Sequence, residues 1–153
     1  MTNETPTNAE CLGYLLVHEE PEGTLVGGYL LVCLRGRPIE FHCTEPVRAT
    51  RAQQILFGPT LRSYLVAEVI GQTLLGAASR KPAVLLVEEP AALPLASSGE
   101  TQAVLLANVP REELPDALEN YLGGDLAEPF ERIREAIAET RRLAVESTNR
   151  DAA

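Results

Sequence analysis

The chain has 153 residues, 45% of them hydrophobic and 23% charged, which fits one globular domain with a sizeable core. Its 22 acidic against 13 basic residues leave a net charge of -9. Nucleic acid and anionic membranes are polyanions, so generic binding to either is not expected.

Residues 1–9 are polar and are expected to be a disordered tail. They show neither a basic n-region nor an apolar h-region. No run approaches the roughly 20 apolar residues of a membrane span. A cytoplasmic protein with no membrane partner is the expectation. One α+β domain is expected over residues 10–146, with a frayed tail at 147–153.

Three strand candidates come first: residues 11–19 (CLGYLLVHE), 24–34 (TLVGGYLLVCL) and 38–44 (PIEFHCT). The connectors EPEG and RGRP are short and rich in turn residues, so an antiparallel meander over about 11–44 follows. The second run is apolar on both faces, as a strand covered twice would be. The third alternates. Ile39, Phe41 and Cys43 share one face; Glu40, His42 and Thr44 share the other.

The string GYLLV occurs at 13–17 and again at 28–32. The copies are too close for repeats that each form a unit. With two-residue turns, Tyr14 lies opposite Tyr29, and Tyr29 opposite His42. A four-residue turn at RGRP puts Thr44 there instead. The row Tyr14–Tyr29–His42, with Glu40 and Thr44, is the expected binding face. Gly13, Gly27 and Gly28 flank it and leave room for a bulge or another chain.

Thr50 and Gln53 have capping-box spacing, which predicts a helix over 51–57 stopped by Gly58. Pro59 fits a first helical position, and a second helix should run over 59–78. Residues 83–88 (AVLLVE) read as a buried strand, 90–101 as a loop, and 102–109 as a fifth strand. A short helix is expected over about 112–122. Asp125 and Glu128 have N-cap and N3 spacing, opening a last helix over about 126–146. That helix is amphipathic, with Leu126, Phe130, Ile133 and Ile137 on one stripe. The expected architecture is one mixed sheet covered by helices.

The candidate chemistry is sparse. Cys11, Cys33 and Cys43 are an odd number in strand-like runs, which reads as buried thiols. With His18 and His42 they lack the paired spacing of a zinc site, so no metal and no cofactor are expected. A Cys43–His18 dyad would be separated by the second strand of a meander. Arg35, Arg37, Arg48 and Arg51, with Arg62, concentrate positive charge near a helix start and form a possible anion site. Pairing with the surplus acids is the plainer reading. On a wheel at 100° per residue, Glu68 falls within the apolar arc of Leu61, Tyr64, Leu65, Val69 and Leu75. Facing the sheet, its carboxylate would need a partner or a raised pKa. At the arc's edge it would be solvated.

Three antiparallel strands, a helix, and a strand ending in Glu88 and Glu89 resemble the front half of a ribonuclease H-like fold. The resemblance is one of topology over residues 11–90, and other small α+β folds with an early meander, such as profilin-like ones, fit about as well. It implies carboxylates holding two Mg²⁺ ions for phosphodiester hydrolysis, with Glu68 as the helix acid and Glu88 or Glu89 ending the fourth strand. The first strand, GYLLVHE, lacks a mid-strand Asp, which implies an inactive member. With no catalytic motif, strands apolar on both faces and an amphipathic last helix, the leading expectation is a non-catalytic domain acting through protein–protein contact or homo-oligomerisation. A metal-dependent phosphodiesterase or nucleotide-binding module is the alternative.

Overall fold

The structure is a computed structural model and describes residues 11–96, 101–106, 118 and 121–152. Five strands form one mixed sheet: β1 (Cys11–Glu19), β2 (Leu25–Cys33), β3 (Pro38–Cys43), β4 (Val84–Val87) and β5 (Gln102–Leu105). Their order is β3-β2-β1-β4-β5. β1 pairs antiparallel with β2, and β2 with β3, as the short connectors require. β4 returns parallel to β1, and β5 parallel to β4. Parallel return needs a crossover, and a helical layer supplies it.

That layer begins at α1 (Arg51–Phe57). The Thr50 hydroxyl accepts from the Gln53 amide, and the Gln53 side chain accepts from the Thr50 amide, so the expected capping box is formed. Gly58 adopts a positive φ of 51° and ends α1. A 3-10 turn (Gly58–Thr60), α2 (Leu61–Ser63), a π-helical stretch (Tyr64–Gly71) and α3 (Gln72–Ala77) follow. Residues 90–101 were expected to be a loop; Pro90–Ala96 form a 3-10 segment.

α4 (Glu128–Ala152) covers the other side of the sheet and continues past the expected end at Glu146. Phe130, Ile133 and Ile137 are buried against the strands, as their stripe predicts. The expected helix over 112–122 falls largely outside the described residues, as do residues 1–9 and the end of the fifth strand.

The sheet divides the core into two layers. Leu12, Tyr14, Val26, Leu30 and Leu86 pack under α4. Leu15, Tyr29, Leu31, Leu85 and Val87 pack under the α1–α3 layer with Val66, Ile70 and Leu74. Every residue of β2 except Cys33 is buried, which accounts for its unbroken apolar run. No helix among the described residues is long and apolar enough to cross a membrane.

The first hairpin corrects the expected row. Glu20 and Thr24 close a loop of Pro21, Glu22 and Gly23, with Gly23 at φ 94°. This is a three-residue loop with a left-handed glycine, one residue longer than expected. The extra residue moves Tyr14 opposite Leu30 and Leu15 opposite Tyr29. Side chains alternate faces, so Tyr14 and Tyr29 lie in opposite core layers, both fully buried. The second turn is also one residue longer than expected, a loop of Leu34, Arg35 and Gly36 closed by Cys33 and Arg37, but a register shift between Leu31 and Val32 offsets the extra residue and leaves Tyr29 paired with His42 as expected.

Candidate functional site

The expected binding face therefore contracts to the β3 side. His42 stacks on Tyr29, with ring centroids 6.4 Å apart and 18° between planes. His42 Nε2 lies 2.7 Å from Glu40 Oε1. The Ser79 amide and hydroxyl, just past α3, both donate to the Glu40 carboxylate. Burial pushes the Glu40 carboxyl up, but the hydrogen bonds from Ser79 and His42 outweigh it and hold its pKa at about 2. Thr44 Oγ1 accepts from the Gly27 amide at 2.9 Å.

Sequence reasoning missed Ser79, which lies 39 positions from Glu40 and carries no local signal. Serine, histidine and glutamate thus meet, but the carboxylate sits between the other two. Histidine activates a serine by taking its proton directly. Here Ser79 donates to Glu40 instead, so the cluster ties the edge strand to the end of α3.

The expected anion site is not assembled. Arg35 and Arg37 follow the end of β2, while Arg48 lies beside Leu25 at its start, next to the Leu25–Val47 bridge. The nine residues of β2, at about 3.4 Å each, separate them. Arg48 donates to the Glu22 carbonyl and Arg51 to the Gln54 side chain.

The acids are placed just as separately. Glu88 pairs with Arg134 of α4, whereas Glu89 takes a two-pronged contact from Arg62 of α2 at 3.0 and 3.1 Å. Arg62 also reaches Glu19 at 2.9 Å. Guanidinium groups therefore neutralise the carboxylates at the C-terminal ends of β1 and β4. No group of three or more His, Cys, Asp or Glu side chains among the described residues is arranged to hold a metal ion. β2 separates His18 from Cys43, as the meander implied.

Glu68 is exposed. Its helix carries a second apolar face, Val66, Ile70 and Leu74 at i, i+4, i+8, which lies opposite Glu68 even on a 100° wheel, and this is the face turned to the sheet. The stretch from Tyr64 to Gly71 is π-helical, with the Gln72 amide bonding back to Ala67. Glu68 is left outside, on an open groove of about 540 Å³ between the helical layer and the Pro90–Ala96 segment.

Phe57 and Tyr64 stack beside that groove, their centroids 4.3 Å apart. Next to Phe57, α1 exposes Ile55 and Leu56 to 63% and 82%. None of the seven residues of α1 is buried. Compared with protein-family models, with curated proteins and with solved structures, the chain gives no significant match.

Proposed function

We propose that this domain is a non-catalytic binding module that works through protein–protein contact at the surface of α1. One observation carries the reading: a seven-residue helix with no buried residue that presents Ile55 and Leu56 outward. Helices shorter than about 12–15 residues are marginal alone, and most gain stability by packing an apolar face. The described fold gives α1 a capping box but no cover. A partner surface would bury each of the two side chains at roughly 1.5–3 kcal/mol. Two side chains fall well short of the roughly 800 Å² per partner of a stable complex, so the contact is transient or extends onto neighbouring surface. The engagement of Glu40 by Ser79 and His42, and of Glu88 and Glu89 by arginines, supports a structural use of those groups.

A displayed random-peptide library selected against the protein tests this. The expected result is an enriched class whose affinity falls about tenfold or more in Ile55→Asp/Leu56→Asp, with melting temperature unchanged. No enrichment, or enrichment indifferent to both changes, removes α1 as the contact. Sedimentation velocity over a concentration series reports whether a second copy is the occupant.

A further inference from the structure

The groove beside α1 brings together apolar surface and one uncommitted charge. Phe57 and Tyr64 line it from the helical layer, and Pro90 and Pro94 from the 3-10 segment. Glu68 also lines it, exposed, with no hydrogen bond or ion pair among the described residues. That sets it apart from Glu88, Glu89 and Glu128, each held by an arginine.

We propose that this groove binds an extended, proline-containing segment of a partner protein that carries an arginine, with Glu68 holding the arginine. The inference rests on the protein-binding reading above and names its partner class. Grooves lined by aromatic rings take polyproline II segments, which are already extended and lose little entropy on binding. Such segments have no internal hydrogen bonds. The Ser63 hydroxyl, on the same groove and without a partner among the described residues, can donate to one of their carbonyls. Arginine fits the remaining chemistry. Its planar guanidinium can stack on Tyr64 while it pairs with the Glu68 carboxylate. The chain's net charge of -9 draws a cationic segment toward it. The chain's own first ten residues include Pro6 but carry Glu4 and Glu10 and no base, so they have the wrong sign for Glu68.

Fluorescence anisotropy with two labelled probes tests the proposal. One is Ala-Pro-Pro-Arg-Pro-Pro-Ala-Ala; the other has glutamate in place of arginine. The wild-type protein should bind the arginine peptide about tenfold more tightly, since the exchange turns attraction into repulsion at a partly screened site. Glu68→Gln should narrow the difference between the two affinities, and Glu68→Lys should narrow it further or reverse it, with melting temperature unchanged in both. Equal binding of the two peptides by wild-type protein, or a preference unaffected by Glu68→Lys, overturns the proposal. Binding of neither peptide overturns it too. In that case library enrichment that still depends on Ile55 and Leu56 leaves the protein-binding reading standing, and its absence removes both.

Discussion

Gly28 of β2 seats Ile133 of α4: a Cβ at Gly28 would lie 2.5 Å from Cγ2 of Ile133. Its neighbour Gly27 does the same on the opposite face, where a Cβ would collide with Cγ2 of Ile70. The room left by this pair is filled by the protein's own helices and is not open to another chain. The glycines are needed for space, since neither is among the glycines with positive φ. Gly28→Ala should cost about 1–3 kcal/mol by overpacking, and Gly27→Ala at least as much. Chemical denaturation measures both. Gly27→Ala combined with Ile70→Ala should cost less than the sum of the single changes, because the second removes the methyl that the first strikes.

The two buried tyrosines should respond differently to loss of their hydroxyls. Tyr14 donates to the Leu126 carbonyl at 2.7 Å and meets the Phe130 ring edge-on, with centroids 5.1 Å apart. The Tyr29 hydroxyl is buried and has no hydrogen-bond partner among the described residues. Tyr14→Phe should destabilise by about 1 kcal/mol, whereas Tyr29→Phe should be neutral or stabilising. Thermal melts of the two variants decide it, and an equal loss in both would contradict the assigned contacts.

Glu40 should contribute an acid-sensitive part of the stability. Its folded pKa of about 2 lies below the ordinary 4.5. A depressed carboxylate stabilises the fold above its ordinary pKa, and that contribution is lost as pH falls through the folded value. Glu40→Gln should therefore cost about 1–3 kcal/mol at neutral pH. The gap from wild type should narrow between pH 4.5 and pH 2. Urea titrations at several pH values would show this; a gap constant down to pH 2 would assign the loss to packing alone.

The thiols should differ in reactivity. Cys33 is partly exposed. Burial pushes its pKa up, but the backbone N–H groups of Arg37 and Arg35 outweigh that and hold it below its ordinary value. Cys43 is shifted up by burial, and Cys11 is buried in the core. Iodoacetamide labelling followed by peptide mass spectrometry should find Cys33 modified first and Cys11 last.

The features legible in the sequence are those written locally. The turn-bounded run located β3, the Thr50–Gln53 spacing located the start of α1, and the 130–133–137 stripe located the buried side of α4. The expected alternation in β3 broke at the register shift, so Ile39 packs with the α1–α3 layer and Cys43 on the α4 side. What failed was one strand register and the choice between two apolar faces of a helix. One extra residue in the Pro21–Gly23 loop put Tyr14 and Tyr29 in different layers, and the helix buried its Val66–Ile70–Leu74 face rather than the expected arc, which left Glu68 in solvent. Neither event has a compositional signal strong enough to outweigh the regular pattern. The Glu40–Ser79 bond and the Arg62–Glu89 pair join residues far apart in the chain, which no local spacing reports.

The position of β1 between β2 and β4 also bears on how the protein is made. As the chain leaves the ribosome, β2 follows β1 directly and can pair at once. Val84–Val87 emerge only after the whole helical layer has been synthesised. Until then the other side of β1, from Leu12 to Leu15, offers unpaired backbone flanked by apolar side chains, a template for pairing with neighbouring nascent chains. A chain truncated after residue 80 keeps that template permanently. It should aggregate or bind chaperones even though its meander and capped helix are intact.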